Sequence, residues 1–79
     1  MRAVSRLGKS PLERGDTTNV SGSPDILALD DGGFAVIGVD VTDQVSGLDD
    51  LRARCAPDER VVRITRETLI AARPDIPAE

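Results

Sequence analysis

The tetrapeptide Asp30-Asp31-Gly32-Gly33 stands between two short apolar runs, Ile26-Leu27-Ala28-Leu29 and Phe34-Ala35-Val36-Ile37, and constrains the fold of this chain more than any other feature. Asp-Gly and Gly-Gly steps supply the positive φ angles that tight antiparallel turns require, and the β-branched residues beyond them favour a pleated strand. The pattern predicts a β-hairpin over residues 25–41. Its second strand, residues 34–41, is apolar on both alternations, which predicts a central strand covered on both faces. Gly38 within it marks a bulge or a close approach of another element, such as a helix.

Beyond the hairpin the apolar period changes from two toward 3.6. Val45, Leu48, Leu51 and Cys55 are spaced to share one helical face, and Ser46 with Asp49 three positions later resembles a capping box built with aspartate. A helix over about 46–55 is expected, ending before Pro57 because proline disfavours helical geometry in its predecessor. Residues 60–64 read as a short strand able to pair with the hairpin. Thr65 then caps a terminal helix over residues 66–73, which Pro74 stops. The fold class expected is α+β, a small β-β-α-β-α domain over residues 24–73 followed by an irregular tail at 74–79.

Residues 1–23 mix Gly, Ser, Thr, Pro, Asn and charged side chains, with Val4, Leu7, Leu12 and Val20 too scattered to form a face. They read as a flexible, disordered N-terminal arm. Arg2, Arg6, Lys9 and Arg14 recur in it at roughly four-residue spacing, so a basic segment that orders on a partner is the alternative. With the arm set aside, about 50 residues remain to build a core, and a core of that size rarely supplies more than roughly 3 to 5 kcal/mol net of conformational entropy. Small domains add disulfides, metals or partner subunits. One cysteine closes no intrachain disulfide, and a chain without histidine offers Cys55 no companion of that type for zinc, which leaves a partner.

Chemistry is limited by the same inventory. Without His, Tyr or Trp, and with Lys9 as the sole lysine, the acid and base groups reduce to carboxylates and one thiol. Cys55, at the end of an apolar helical face, reads as a packing thiol. Asp30, Asp31, Asp40 and Asp43 are oxygen donors suited to Ca²⁺ or Mg²⁺, but their spacing lacks the alternation and closing glutamate of an EF-hand, and turn and cap roles account for them. Gly32, Gly33 and Gly38 lie between strands, not between a strand and a helix as a phosphate-binding loop requires. No catalytic residue, metal ligand, cofactor or small-molecule substrate is therefore expected.

Charge narrows the partner. Residues 23–50 hold seven aspartates and no basic residue, while residues 51–79 carry six arginines against five acids, with a net charge of -4 overall. Arg52, Arg54, Arg60, Arg63 and Arg66 are interleaved with Asp49, Asp50, Asp58, Glu59 and Glu67, which favours a salt-bridged surface over a nucleic-acid patch. Phe34 is the only aromatic residue, so a stacking platform for single-stranded nucleic acid is missing. No run of about 20 apolar residues is present to span a bilayer, and the first residues lack the apolar core of a signal peptide, so a cytoplasmic location is expected and no membrane contact.

The segments Ser23-Pro24-Asp25-Ile26-Leu27, Asp31-Gly32-Gly33-Phe34-Ala35-Val36-Ile37-Gly38-Val39-Asp40-Val41-Thr42 and Val61-Val62-Arg63-Ile64-Thr65 resemble small uncharacterised actinobacterial proteins. Their pattern is Ser-Pro, a hairpin ending in a Val-x-Gly strand, then a Val-x-Ile-Pro-like element before a short helix. Thr65 stands where that pattern has proline. Some of those proteins are encoded beside helix-turn-helix regulators, and the resemblance implies an accessory regulatory protein acting through contact with a protein partner.

The expected function is accordingly a non-enzymatic protein-interaction module that works through a protein partner or a homodimer. The alternative is a nucleic-acid-binding protein using the basic arm and the C-terminal arginines. A small metal-binding or carboxylate-based enzyme is the third reading.

Overall fold

Strands form where apolar and β-branched residues flank the turn. In the computed structural model, which describes residues 1–10, 13 and 23–78, β1 (Ala3–Arg6), β2 (Asp25–Leu29) and β3 (Phe34–Ile37) make an antiparallel sheet in the order β1-β2-β3. The chain breaks at Gly38, and β4 (Val39–Asp40) pairs antiparallel with β5 (Val62–Arg63) in a second, two-stranded sheet. Helix α1 (Arg66–Ala72) follows and runs into a 3-10 turn, Arg73–Asp75. The architecture is mixed α+β, as the sequence predicts.

The hairpin turn forms as expected. The Leu29 carbonyl accepts from the Gly32 N–H at 3.3 Å, the Leu29 N–H donates to the Gly33 carbonyl at 2.9 Å, and Gly32 takes φ +89°. This is the three-residue hairpin loop in which a left-handed residue after a turn resets the ladder. Asp31 supports it through Oδ1, which accepts from the Gly33 N–H at 2.8 Å.

The order of the strands differs from the expectation. The central strand is β2, and β3 lies at the edge of the sheet. Phe34, Val36 and Ile37 are each about half exposed, so the doubly covered strand expected at 34–41 is not observed. The reason is β1, which docks on the other side of β2. Residues 3–8, expected in the disordered arm, supply this strand and a core residue; the rest of the expected arm, 11, 12 and 14–22, lies outside the described residues. The Leu7 N–H donates to the Ile26 carbonyl, and the Asp30 N–H donates to the Arg2 carbonyl. Arg6 Nε stands 2.9 Å from both carboxylate oxygens of Asp25, which is buried.

No α-helix forms over 46–55. The segment contains a single 3-10 turn, Asp49–Leu51, preceded by Leu48 without a side-chain cap. Gly47 at φ +86° and Arg52 at φ 57° leave right-handed geometry on either side of it. Leu51 is 79% and Val45 40% exposed, with Leu48 and Cys55 only half-buried, so the expected apolar face is poorly covered, and a short helix with little tertiary support is unstable in water.

Helix α1 begins where its cap predicts. Thr65 is extended, and its Oγ1 accepts from the Thr68 N–H at 3.1 Å. The helix sets Ala72 and Thr68 against the sheet, and the buried apolar core is small: Leu7, Ile26 and Ala72, with Ala28 and Ile64 packed beside it. Pro74 does not end the ordered chain, because it lies in the 3-10 turn whose Asp75 Oδ2 accepts from the Gly8 N–H at 2.7 Å. No helix among the described residues is long and apolar enough to cross a membrane.

Candidate interaction edge

In an antiparallel pair, residues alternate between exchanging backbone hydrogen bonds and turning those groups away. Leu29 bonds to Gly33, and the register sets Leu27 opposite Ala35 and Asp25 opposite Ile37. Phe34 and Val36 therefore turn their N–H and C=O groups outward, and no described strand pairs along that edge. Native sheets guard such edges with Lys, Pro or an inward charge. Residues 34–39 hold none of these.

Side chains on either side of the edge are apolar. Phe34 and Val36 share the face that carries Ile26 and Ala28, toward α1. Between this face and the helix lies a wholly apolar cleft of about 250 Å³ lined by Leu7, Ile26, Phe34, Leu69, Ala72 and Ile76. It reaches the edge strand at Phe34, which is 48% exposed, and is bounded on the helix side by Leu69 and Ile76, both more than half exposed. On the opposite face Ile37 and Ala35 stand beside Leu27 and Asp25, and Val39, after the break, is 65% exposed.

Gly38 makes that break possible. A side chain there would collide with the Arg63 carbonyl oxygen, so the close approach expected at Gly38 is made by the β5 backbone and not by a helix. The turn after β4 is fixed by Asp40, whose Oδ1 accepts from the Thr42 N–H at 3.0 Å and from its Oγ1 at 2.6 Å. Thr42 Oγ1 in turn accepts from the Val61 N–H at 2.8 Å. The Thr42 hydroxyl and N–H, and then the Arg60 charge, hold the Asp40 carboxyl below its usual range.

The residues weighed for chemistry are dispersed. Cys55 is a half-buried free thiol in the irregular segment, away from any helical face. Asp30 accepts from the Arg2 N–H at 3.0 Å and Asp31 from Gly33, so both serve the turn, while Asp40 serves the next one. Among the described residues, no three His, Cys, Asp or Glu side chains come together as a metal site. Two of the basic residues have defined partners. Arg6 is committed to Asp25, and Arg60 donates to the Pro57 and Glu59 carbonyls and lies 3.9 Å from Asp40. The cleft gave no signal in the sequence, because its residues come from the segment after β1, from β2, β3 and α1, and from the end of the C-terminal turn. No protein family, characterised protein or solved structure matches the chain.

Proposed function

We propose that the chain is a non-enzymatic interaction module of the cytoplasm, regulatory in role, whose contact surface is the open edge of β3 with the apolar cleft behind it. One observation carries the reading: an edge strand with outward backbone groups, half-exposed Phe34, Val36 and Ile37, and, among the described residues, none of the usual protection against pairing. A strand added there gains main-chain hydrogen bonds along Phe34 and Val36, and its alternate side chains cover the cleft. The small core supports the same reading, since a partner strand would bury apolar surface that Leu7, Ile26 and Ala72, the buried apolar side chains among the described residues, leave open. The accessory regulatory role implied by the resemblance of the hairpin segments belongs to this proposal.

The test compares the full chain with a Val36→Lys variant, which sets a charge on the edge without removing a bond to β2. Association, whether with a second copy in sedimentation velocity or with a partner recovered from native lysate, is expected in the wild type and lost in the folded variant. Retention of the same association by Val36→Lys would sink the edge reading.

A further inference from the structure

The unprotected edge is bracketed by one sign of charge. Asp31 stands exposed in the turn before β3, and Asp40 and Asp43 stand exposed after the Gly38 break, while residues 34–39 between them are uncharged. Asp30, also in the first turn, is drawn to the far side of the sheet by the Arg2 N–H. Of the basic groups, Arg60 approaches Asp40 at 3.9 Å with both side chains 59% exposed, a contact that solvent screens, and Arg63 lies on β5, which pairs with β4. The edge is an apolar strip with negative ends.

We propose that this edge takes an extended segment of a partner protein whose apolar, β-branched centre is flanked at both ends by basic residues. The inference rests on the edge reading above and adds the chemistry of the partner. A second copy of the chain fits poorly. Self-pairing about Ala35, the antiparallel register in which Phe34 and Val36 exchange backbone bonds, turns the Asp40 end of one copy toward the Asp31 turn of the other. A parallel register sets each acidic end on its own kind. Like charges opposed across strands are destabilising. A segment with Arg or Lys at both ends reverses that sign at each turn. Strand β3 itself covers four residues, Phe34–Ile37, about 13 Å at roughly 3.3 Å per residue, and Asp31 and Asp40 each lie three positions beyond one of its ends, so basic side chains just outside a short apolar centre face them. Apolar side chains on one alternation of the segment then lie beside Phe34 and Val36 and reach over the cleft lined by Leu69 and Ile76.

Three probe peptides with one centre test this: Thr-Val-Thr-Val-Thr-Val flanked at each end by Arg-Arg, by Ser-Ser or by Asp-Asp. Full-length chain is titrated with each and followed by backbone amide NMR. The Arg-flanked peptide is expected to bind about tenfold more tightly than the Asp-flanked one, with the Ser-flanked peptide between them. That preference shrinks as salt is raised from ~50 to ~500 mM. Binding is expected to slow hydrogen exchange at the Phe34 and Val36 amides. Asp31→Asn with Asp40→Asn preserves both side-chain acceptors in the turns and is expected to narrow the preference to about twofold while the chain stays folded, with only a small fall in thermal midpoint. Val36→Pro removes an outward N–H and is expected to abolish binding of all three peptides; Val36→Lys serves the same purpose if the proline variant does not fold.

Equal affinity for the three peptides, with the Phe34 and Val36 amides protected, overturns the charge inference and leaves the edge reading standing. Binding that leaves those amides unaffected overturns both. If no peptide binds, the charge inference fails, and sedimentation decides the edge reading: self-association lost in Val36→Lys retains it, and a monomer with no edge-dependent partner removes it.

Discussion

Gly8 answers to two constraints at once. Its φ is +78°, and a Cβ placed on it would stand 2.6 Å from the Ala71 carbonyl carbon and oxygen, so backbone strain and collision coincide where β1 meets α1. Gly32 has a similar φ, +89°, with open space around it. Gly8→Ala is therefore expected to cost about 3 kcal/mol in urea unfolding, and Gly32→Ala about 1 kcal/mol, since only the left-handed backbone is charged against it. Equal costs would mean that the Ala71 backbone can give way. Thr42 supports a different prediction. Its hydroxyl and N–H depress the Asp40 carboxyl, so the small stabilisation Asp40 contributes is present above the unfolded aspartate pKa and is lost as pH falls through the lower folded value. Thr42→Val is expected to raise the Asp40 midpoint in a carboxyl NMR titration and to remove the acceptor for the Val61 N–H. The Arg6–Asp25 pair is asymmetric, with side chains 44% and 6% exposed. Arg6→Ala should cost about 3 kcal/mol, because it leaves the buried partner uncompensated.

At the scale of elements, what was legible in the sequence was local. The hairpin turn and the Thr65 cap depend on residues within four positions, and both formed where turn and cap chemistry place them. The edge assignment was not legible, because β1 lies about twenty residues from β2 and offers only Ala3-Val4-Ser5-Arg6, with no apolar alternation to announce a strand. Its signals are distributed: Leu7 in the core, Arg6 on Asp25, Gly8 under Asp75. Ser10 and Glu13 form a reciprocal capping box, Ser10 N–H to Glu13 Oε1 at 3.0 Å and Glu13 N–H to Ser10 Oγ at 3.2 Å, which the Ser-x-x-Glu spacing announces. The 45–55 segment failed in the opposite direction, since helical periodicity met too little surface to pack on, with Val45 and Leu51 left exposed. Its amides are accordingly expected to exchange by local opening, far faster than those of Ile26 or Leu27, in native-state hydrogen exchange. Protection over 48–55 equal to that of β2 would contradict this.

Taken as a whole molecule, the chain divides its apolar residues unevenly between interior and surface. Leu7, Ile26 and Ala72 are buried, whereas Phe34, Val36, Ile37, Val39, Leu69, Ile70 and Ile76 are each about half exposed or more. A core of this kind has little reserve. Leu7→Ala removes one of its two large side chains at a cost of about 3 kcal/mol, comparable to the roughly 3 to 5 kcal/mol a domain of this size retains. With about 0 to 2 kcal/mol then left, far-UV circular dichroism is expected to show a clearly raised unfolded fraction at 25 °C, up to about half of the variant. Linkage then joins stability to function: a segment that binds only the folded chain adds about 2.7 kcal/mol at a hundredfold excess over its Kd. Leu7 lines the cleft but lies two strands from the open edge, so the outward N–H and C=O groups of β3 survive the substitution. The Arg-flanked peptide is therefore expected to refold Leu7→Ala in proportion to its concentration, and the Asp-flanked peptide to do so only at about tenfold higher concentration. If the variant unfolds and neither peptide restores it, although both bind the wild type, then the site is bound through the cleft more than through the edge.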